Sequence, residues 1–197
     1  MAEPIDERER RELCDLLMEL GPDAPTLCAG WTTADLAAHL VLRAHFKRWP
    51  DEARAEEKAK GFPDLVARLR AGPPLVPWRL PKLRTLLNGP EYFIHHEDAR
   101  RANGMPRRAD RADLEDLAWR TVRFAARRTA RQARPYGLRL HAAGRPVGKI
   151  GSPPYAILTG EPTELLLFVS GRRDAAQVTI EGDAEAIAAL EAQASGL

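Results

Sequence analysis

Glu91 and His95 are metal-ligating residue types four positions apart in the stretch EYFIHHEDARR, which begins at Glu91. In a helix, side chains four positions apart leave the same face with their Cβ atoms about 5–6 Å apart. That separation allows a carboxylate and an imidazole to reach one divalent ion at about 2.0–2.2 Å. Two ligands do not hold a metal ion, so a metal site here needs a third ligand from another helix.

His39 is the candidate for that third ligand. It lies in the stretch DLAAHLVL, on the same side as Leu36 and Leu40. A polar ring on the apolar side of a helix needs a partner. Spacing alone favours an ordinary interpretation over a metal site. Glu91 suits the first turn of a helix through the macrodipole, and His39 can be a core histidine that contacts a backbone carbonyl.

The remaining histidines fit a metal site less well. His45 follows His39 by six positions and is expected to face away from it, because each helical residue turns by about 100°. His96 is rotated by about the same angle from His95, so we expect it beside the metal ligands rather than on the metal ion. His141 lies in a stretch with strand character and has no obvious companion.

Asp98 follows His95 by three positions and can orient that imidazole from the second shell. It can equally pair with Arg100 or Arg101, and the sequence does not decide between these roles.

The helix that carries His39 has a clear start signal. Thr32 and Asp35 stand three positions apart as in a capping box, and Trp31 and Leu36 are placed as in a hydrophobic staple. These residues predict a helix over residues 33–49.

Four main helices are predicted in the first 133 residues from the helical repeat of their apolar side chains. They span residues 6–20, 33–49, 90–102 and 112–131, with a short helix at 81–87 before the stretch NGP and a charged segment at 51–61 that is helical or mobile. In the last of them Leu114, Leu117, Thr121 and Phe124 are expected on one side. Four prolines in residues 72–81 interrupt any helix there.

After Pro135 the pattern changes to the short alternating stretches that are typical of strands. Strands are expected in YGLRLHAAG, VGKIG, YAILTG and QVTIEG, and helices in PTELLLFVSG and in DAEAIAALEAQ, the latter capped near Asp183. The sequence therefore predicts an α+β protein, with a helical domain of four main helices at residues 1–133 and a small α/β domain at 134–197.

Composition excludes several classes of protein. The net charge of +2 over 197 residues gives no reason to expect a nucleic-acid partner. The basic run RRTARQARP lacks interleaved aromatic residues, so we interpret it as the solvated face of a helix rather than a phosphate-binding strip. Two cysteines are too few for a disulfide scaffold. Without an apolar signal region or membrane-length apolar run, the expected location is the cytoplasm.

The stretches LCAGWTTADLAAHLVLR and EYFIHHEDARRA resemble the metal-binding N-terminal domain of the mycothiol-dependent maleylpyruvate isomerase family, a DinB-like four-helix bundle. GEPTELLLFVSGR and VTIEGDAEAIAAL are similar to the small α/β C-terminal domain of that family. The resemblance covers nearly the whole chain. It implies that His39, Glu91 and His95 bind a metal ion, and it favours zinc. Arginine outnumbers lysine 25 to 5, which suits the actinobacteria in which mycothiol occurs.

The resemblance also implies an activity. It points to a metal-dependent isomerase or thiol transferase in which the metal ion activates a low-molecular-weight thiol such as mycothiol, or water, for attack on a small electrophilic substrate. Arg172 is a candidate for binding an anionic substrate, or else a surface arginine without a role. EYFIHHEDARR marks a branch distinct from the isomerase itself, and the loop at 51–81 is expected to shape substrate choice.

The alternative is a non-catalytic metal- or ligand-binding protein with a stress or regulatory role. In such a protein His96 or Cys28 would close the fourth coordination position. Small molecules are the expected partners, and the chain is expected to be a monomer or a homodimer.

Overall fold

The computed structural model describes residues 3–44, 51–73, 81–108 and 111–193. These residues form eight helices and one four-stranded sheet: α1 Ile5–Leu20, α2 Thr33–Ala44, α3 Asp51–Lys58, α4 Phe62–Ala71, α5 Pro81–Ala102, α6 Ala112–Gln132, β1 Gly137–His141, β2 Gly148–Ile150, β3 Tyr155–Thr159, α7 Pro162–Val169, β4 Thr179–Gly182 and α8 Ala184–Glu191. A short 3-10 turn at Arg173–Ala175 separates α7 from β4. The predicted α+β class is confirmed.

Contacts divide the chain into two compact units, Met1–Ala109 and Asp110–Leu197. The sequence placed the boundary later, after residue 133. The difference concerns α6, which packs closely against α7 and therefore groups with the second unit.

The first unit is helical. Its α1 packs along α5 and α4, and α2 packs against α3 and α4. The core contains fully buried leucines from three of these helices: Leu13, Leu17, Leu36 and Leu65. Each buried leucine stabilises the fold by roughly 1.5–3 kcal/mol. The helix α4 had no counterpart among the sequence predictions.

The start of α2 follows the predicted capping box. The Thr32 amide donates a hydrogen bond to Asp35 Oδ2 at 3.0 Å, and the Asp35 amide lies 3.4 Å from Thr32 Oγ1. The helix is described from Thr33 to Ala44. Its expected continuation to residue 49, with His45, lies outside the described residues.

One continuous helix, α5, replaces the two helices predicted around the stretch NGP. It runs for 22 residues with Pro90 inside it, so the expected break at 88–90 was wrong. A proline removes one backbone hydrogen bond of a helix, but Arg43 stabilises this turn through hydrogen bonds. Its guanidinium donates to Asn88 Oδ1 at 2.8 Å and to the Leu87 carbonyl at 3.0 Å.

The second unit combines α6, α7 and α8 with the sheet, and its predicted strands and helices are confirmed. The strand order is β2-β1-β3-β4. The β1–β3 pair is parallel, and the two outer pairs are antiparallel. Asp183 caps α8 by accepting from the amides of Glu185 and Ala186.

Among the described residues, no helix combines the length and the apolar character needed to cross a bilayer.

Candidate metal centre

Helix α5 places three ionisable side chains on one face because they follow each other by four and three positions. Glu91 is partly exposed, with 35% of its side chain accessible, whereas His95 and Asp98 are buried. Each residue is therefore oriented by a long helix that is itself packed against α1.

Asp98 sets the orientation of the His95 ring. Its Oδ2 lies 2.9 Å from His95 Nδ1. An ionised carboxylate can only accept, so a neutral His95 ring that donates from Nδ1 to Asp98 presents the Nε2 lone pair on its other side. Nε2 in turn lies 3.8 Å from Glu91 Oε2. A carboxylate behind the ring and a free lone pair in front of it is the usual arrangement of a histidine that ligates a metal.

His39 reaches the same place from α2. Its ring centroid lies 5.1 Å from that of His95, with an angle of 69° between the ring planes. On another side it contacts Trp31, at a centroid distance of 5.2 Å. The guanidinium of Arg54 lies 4.3 Å from the centroid of the Trp31 ring. Trp31 and α2 thus fix the position of the His39 ring.

The ligand atoms of His39, Glu91 and His95 all lie within 4.8 Å of one another. Ligands at about 2.0–2.2 Å from one ion are at most about 4.4 Å apart, so a small rotation of the side chains would close them around an ion. The set of two imidazoles and one carboxylate is one that zinc uses in catalytic sites with an open position. The residues present therefore fit a divalent metal ion.

Arg43 also belongs to this region, although the sequence gave it no role. Its Nε lies 3.2 Å from Glu91 Oε2, the oxygen that faces His95. The same guanidinium contacts Asn88 and Leu87. Arg43 therefore fixes the Glu91 carboxylate against the turn of α5 that contains Pro90. The four-residue spacing of Glu91 and His95 was visible in the sequence, but a partner 48 positions earlier was not.

Cys28 contacts Asp98, the last of the three ionisable residues on this face of α5. Its thiol donates to Asp98 Oδ2 at 3.2 Å, the oxygen that also contacts His95. Cys28, His95 and Asp98 form a second group with ligand atoms within 4.8 Å of one another. The Leu27 amide donates to the Asp98 carbonyl at 3.2 Å, which holds this loop against α5.

His96 lies in a different cluster from His39. It is buried, and its Nδ1 is 3.4 Å from Glu9 Oε2 of α1. Burial lowers the pKa of His96, and the contact with Glu9 opposes this only in part. Burial would raise the pKa of Glu9, but His96 and Arg108 outweigh it and lower that pKa to about 2. His96 thus contacts the α1 side of α5, whereas it was expected beside the metal ligands.

Arg172 lies in the second unit, after α7. It is 9% exposed, and its Nη1 donates to the Ser170 carbonyl at 2.6 Å. Arg172 is therefore largely buried and hydrogen-bonded, unlike a surface arginine without contacts. Its predicted role in binding an anionic substrate remains a prediction.

No protein-family model and no curated protein matches the sequence. Two solved structures are similar to it over most of their length. One is the crystal structure of the mycothiol-dependent maleylpyruvate isomerase, with a TM-score of 0.60, 19% identity and 90% of each chain covered. The other is a histidine-to-alanine mutant of an isomerase with that name, with a TM-score of 0.60, 20% identity and the same coverage.

The chain has the fold of the mycothiol-dependent maleylpyruvate isomerase. At this level of identity the likeness establishes the fold alone. It agrees with the resemblance found in the sequence stretches around His39 and Glu91.

Proposed function

We propose that His39, Glu91 and His95 bind one divalent metal ion, zinc, and that the protein is a metal-dependent isomerase or thiol transferase. The observation that carries the proposal is the approach of these three ligand atoms to within 4.8 Å from two different helices. A zinc ion supplies a positive charge that makes a thiol or a water molecule nucleophilic at neutral pH.

The protein's own residues have distinct tasks in this proposal. Asp98 accepts a hydrogen bond from Nδ1 of His95 and so directs Nε2 towards the ion. Arg43 holds the Glu91 carboxylate in place through Oε2. Trp31 packs against the His39 ring. None of these three needs to touch the substrate, and each limits the movement of a ligand.

The identity of the thiol is proposed from the fold neighbours, whose names specify mycothiol dependence. We propose mycothiol as the cosubstrate and a small electrophile as the substrate. The segment at 51–81 would shape the choice of substrate. Water in place of the thiol would make the protein a hydrolase. The proposed location remains the cytoplasm.

A second candidate is a metal-binding protein without catalytic turnover. The contact of Cys28 with Asp98, beside His95, favours it, because a cysteine sulfur is a strong zinc ligand. Cys28 contacts the Asp98 oxygen at Nδ1 of His95, so it would reach an ion at Nε2 only after the side chains rearrange. A sulfur bound there would take the position of a thiol substrate.

The first test is the metal content of protein purified without added metal, measured by mass spectrometry. We expect about one equivalent of zinc in the wild type and none in His95→Ala. The matched control is His96→Gln, one position along the same helix but in the Glu9 cluster, and it should retain the metal. Zinc retained in His95→Ala would refute the ligand assignment.

Turnover is tested separately on the zinc-loaded protein. Consumption of mycothiol, or of a simple thiol substitute, with a panel of small electrophiles should depend on zinc and on His95. Zinc that binds tightly without any turnover, and that is lost in Cys28→Ala, would support the non-catalytic candidate.

A further inference from the structure

Two adjoining cavities lie in the second unit between α6 and the residues of β2. The first has a volume of about 550 Å³ and the second about 430 Å³. Both are lined by Arg127, Ile150 and Gly151, so they are parts of one depression. Volumes of about 300–1,000 Å³ are usual for small-molecule sites.

The lining of this depression is cationic. Its charged residues are Arg120, Arg123, Arg127, Arg131, Arg134 and Lys149. The five arginines follow each other at three or four positions along α6 and just past its end, so they share one face. None of the six forms an ion pair with any residue in the part of the chain that the structure describes.

Such a row is unfavourable for the free protein, because like charges three or four positions apart on a helix repel each other. The chain has 28 acidic residues with which it could compensate them. Tyr136, which lines the second cavity, donates from Oη to Glu185 at 2.7 Å, but Glu185 itself lines neither cavity. Among the described residues no acidic side chain lines either cavity, so an anionic ligand would meet these cations without a competing carboxylate in the lining.

An aromatic surface accompanies the charges. Phe124 lines the first cavity, and 64% of it is exposed, whereas helical spacing grouped it with Leu114 and Leu117, which are buried. The Arg127 guanidinium lies 4.9 Å from the centroid of the Phe124 ring. Trp119 is 7% exposed and, with Ile150, supplies the rest of the apolar wall. A ring and a row of cations in one cavity suit a ligand with both a flat ring and several negative charges.

We propose that this depression binds a small molecule of the nucleotide type, which carries phosphate groups on a flat ring system. The arginines contact the phosphates, because guanidinium groups form paired, charge-assisted hydrogen bonds with phosphate oxygens. The ring of the ligand stacks on Phe124. This site involves none of the residues of the candidate metal centre and does not depend on the proposed function.

A small molecule is favoured over single-stranded nucleic acid for two reasons. Grooves for nucleic acid offer a series of aromatic side chains on which successive bases stack, and Phe124 is the one strongly exposed aromatic ring in the described part of this depression. The arginines from 120 to 134 also span only about 21 Å of helix.

The test is calorimetric titration of the full-length chain with ATP and, separately, with inorganic triphosphate, in the absence of divalent cations. We expect ATP to bind more tightly than triphosphate, and both to weaken as salt rises. The double variant Arg123→Gln/Arg127→Gln should weaken ATP binding by about tenfold or more, since two charge-assisted contacts are lost. The matched control is Arg128→Gln, an exposed arginine of the same helix that lines neither cavity, and it should change the affinity less than twofold.

Phe124→Ala should remove the preference for ATP over triphosphate while leaving triphosphate binding unchanged. Thermal melts of each variant establish that the fold is intact. The proposal is overturned if Arg128→Gln weakens binding as much as the double variant, because the attraction is then general. Tighter binding of a single-stranded oligonucleotide, with a salt dependence steeper than that of ATP, would overturn it in favour of a nucleic-acid groove.

Discussion

At the scale of single residues, the candidate metal centre depends on contacts that hold its ligands in place. Asp98 Oδ2 is shared between His95 Nδ1, at 2.9 Å, and the thiol of Cys28, at 3.2 Å. Glu91 Oε2 likewise has two neighbours: Arg43 Nε at 3.2 Å and His95 Nε2 at 3.8 Å. Both carboxylates therefore link a ligand to a residue far away in the sequence.

Asp98→Asn should weaken zinc binding by about 10–100-fold, the usual effect of removing a carboxylate behind a ligating histidine. The amide keeps the size of the side chain but loses its charge, so His95 is held less firmly. Competition with a chromogenic chelator measures the affinity. Cys28→Ala serves as the control, because it removes a different contact of Asp98 Oδ2 and leaves His95 untouched. Equal losses in the two variants would show that Cys28 is itself a ligand.

At the scale of elements, α1 is joined to α5 and to the segment after it by buried charges. Glu9 of α1 contacts His96 of α5 at 3.4 Å and Arg108 at 2.9 Å. Arg108 also donates from Nε to Glu97 Oε1 at 2.7 Å. Removing one partner from such a buried network destabilises the fold more than replacing the whole network by apolar residues does. The reason is that the remaining partner is left charged and unpaired.

The unfolding free energy should fall as the pH is lowered from about 4.5 towards 2. The pKa of Glu9 is about 2 in the folded protein, against 4.5 as its ordinary value. A lowered carboxyl pKa contributes stability above the ordinary pKa, and that contribution disappears as the pH falls through the folded pKa. The contribution is on the order of 3 kcal/mol.

Urea denaturation at a series of pH values measures this effect. Glu9→Gln should be less stable than the wild type at pH 6, and its stability should vary less between pH 4.5 and 2. Glu3→Gln is the control, since its carboxylate also contacts an arginine but is exposed. A wild-type curve that is flat over this range would contradict the assignment.

The elements themselves were largely predictable where a local pattern determines them. The capping box of Thr32 and Asp35 and the alternating strands of the second unit depend on neighbours within a few residues. The continuous α5 was not predictable, because Pro90 is tolerated only through its surroundings, including Arg43 on α2. The exposure of Phe124 was missed for a similar reason: helical spacing placed it beside Leu117, and only the packing of α6 shows which side is covered.

The candidate site shows the same limit. The four-residue spacing of Glu91 and His95 indicated two ligands, and the apolar surroundings of His39 indicated the third. The contacts of Arg43 with Glu91 and of Cys28 with Asp98 join residues 48 and 70 positions apart. No periodicity links such pairs, so only a folded chain reveals them.

At the scale of the whole molecule, the candidate metal centre belongs to the first unit and the cationic depression to the second. Zinc binds the folded chain more tightly than the unfolded one if the three ligands converge only after folding. At a free zinc concentration of 100 times the dissociation constant, this linkage stabilises the folded state by about 2.7 kcal/mol.

Adding zinc to chelator-treated protein should therefore raise the midpoint of thermal unfolding by several degrees, as followed by calorimetry. The shift should be absent in His95→Ala and present in Arg123→Gln/Arg127→Gln. A shift that persists in His95→Ala would mean that zinc binds elsewhere.

The sheet of the second unit has consequences for the behaviour of concentrated solutions. Its two outer strands are β2, with three residues, and β4, with four, and they carry Lys149 and Glu181. A sheet edge recruits further chains when it is long, flat and apolar. Edges this short and charged offer little backbone to a neighbouring molecule, so strand addition between copies of the chain is disfavoured and amyloid-like growth from this sheet is not expected.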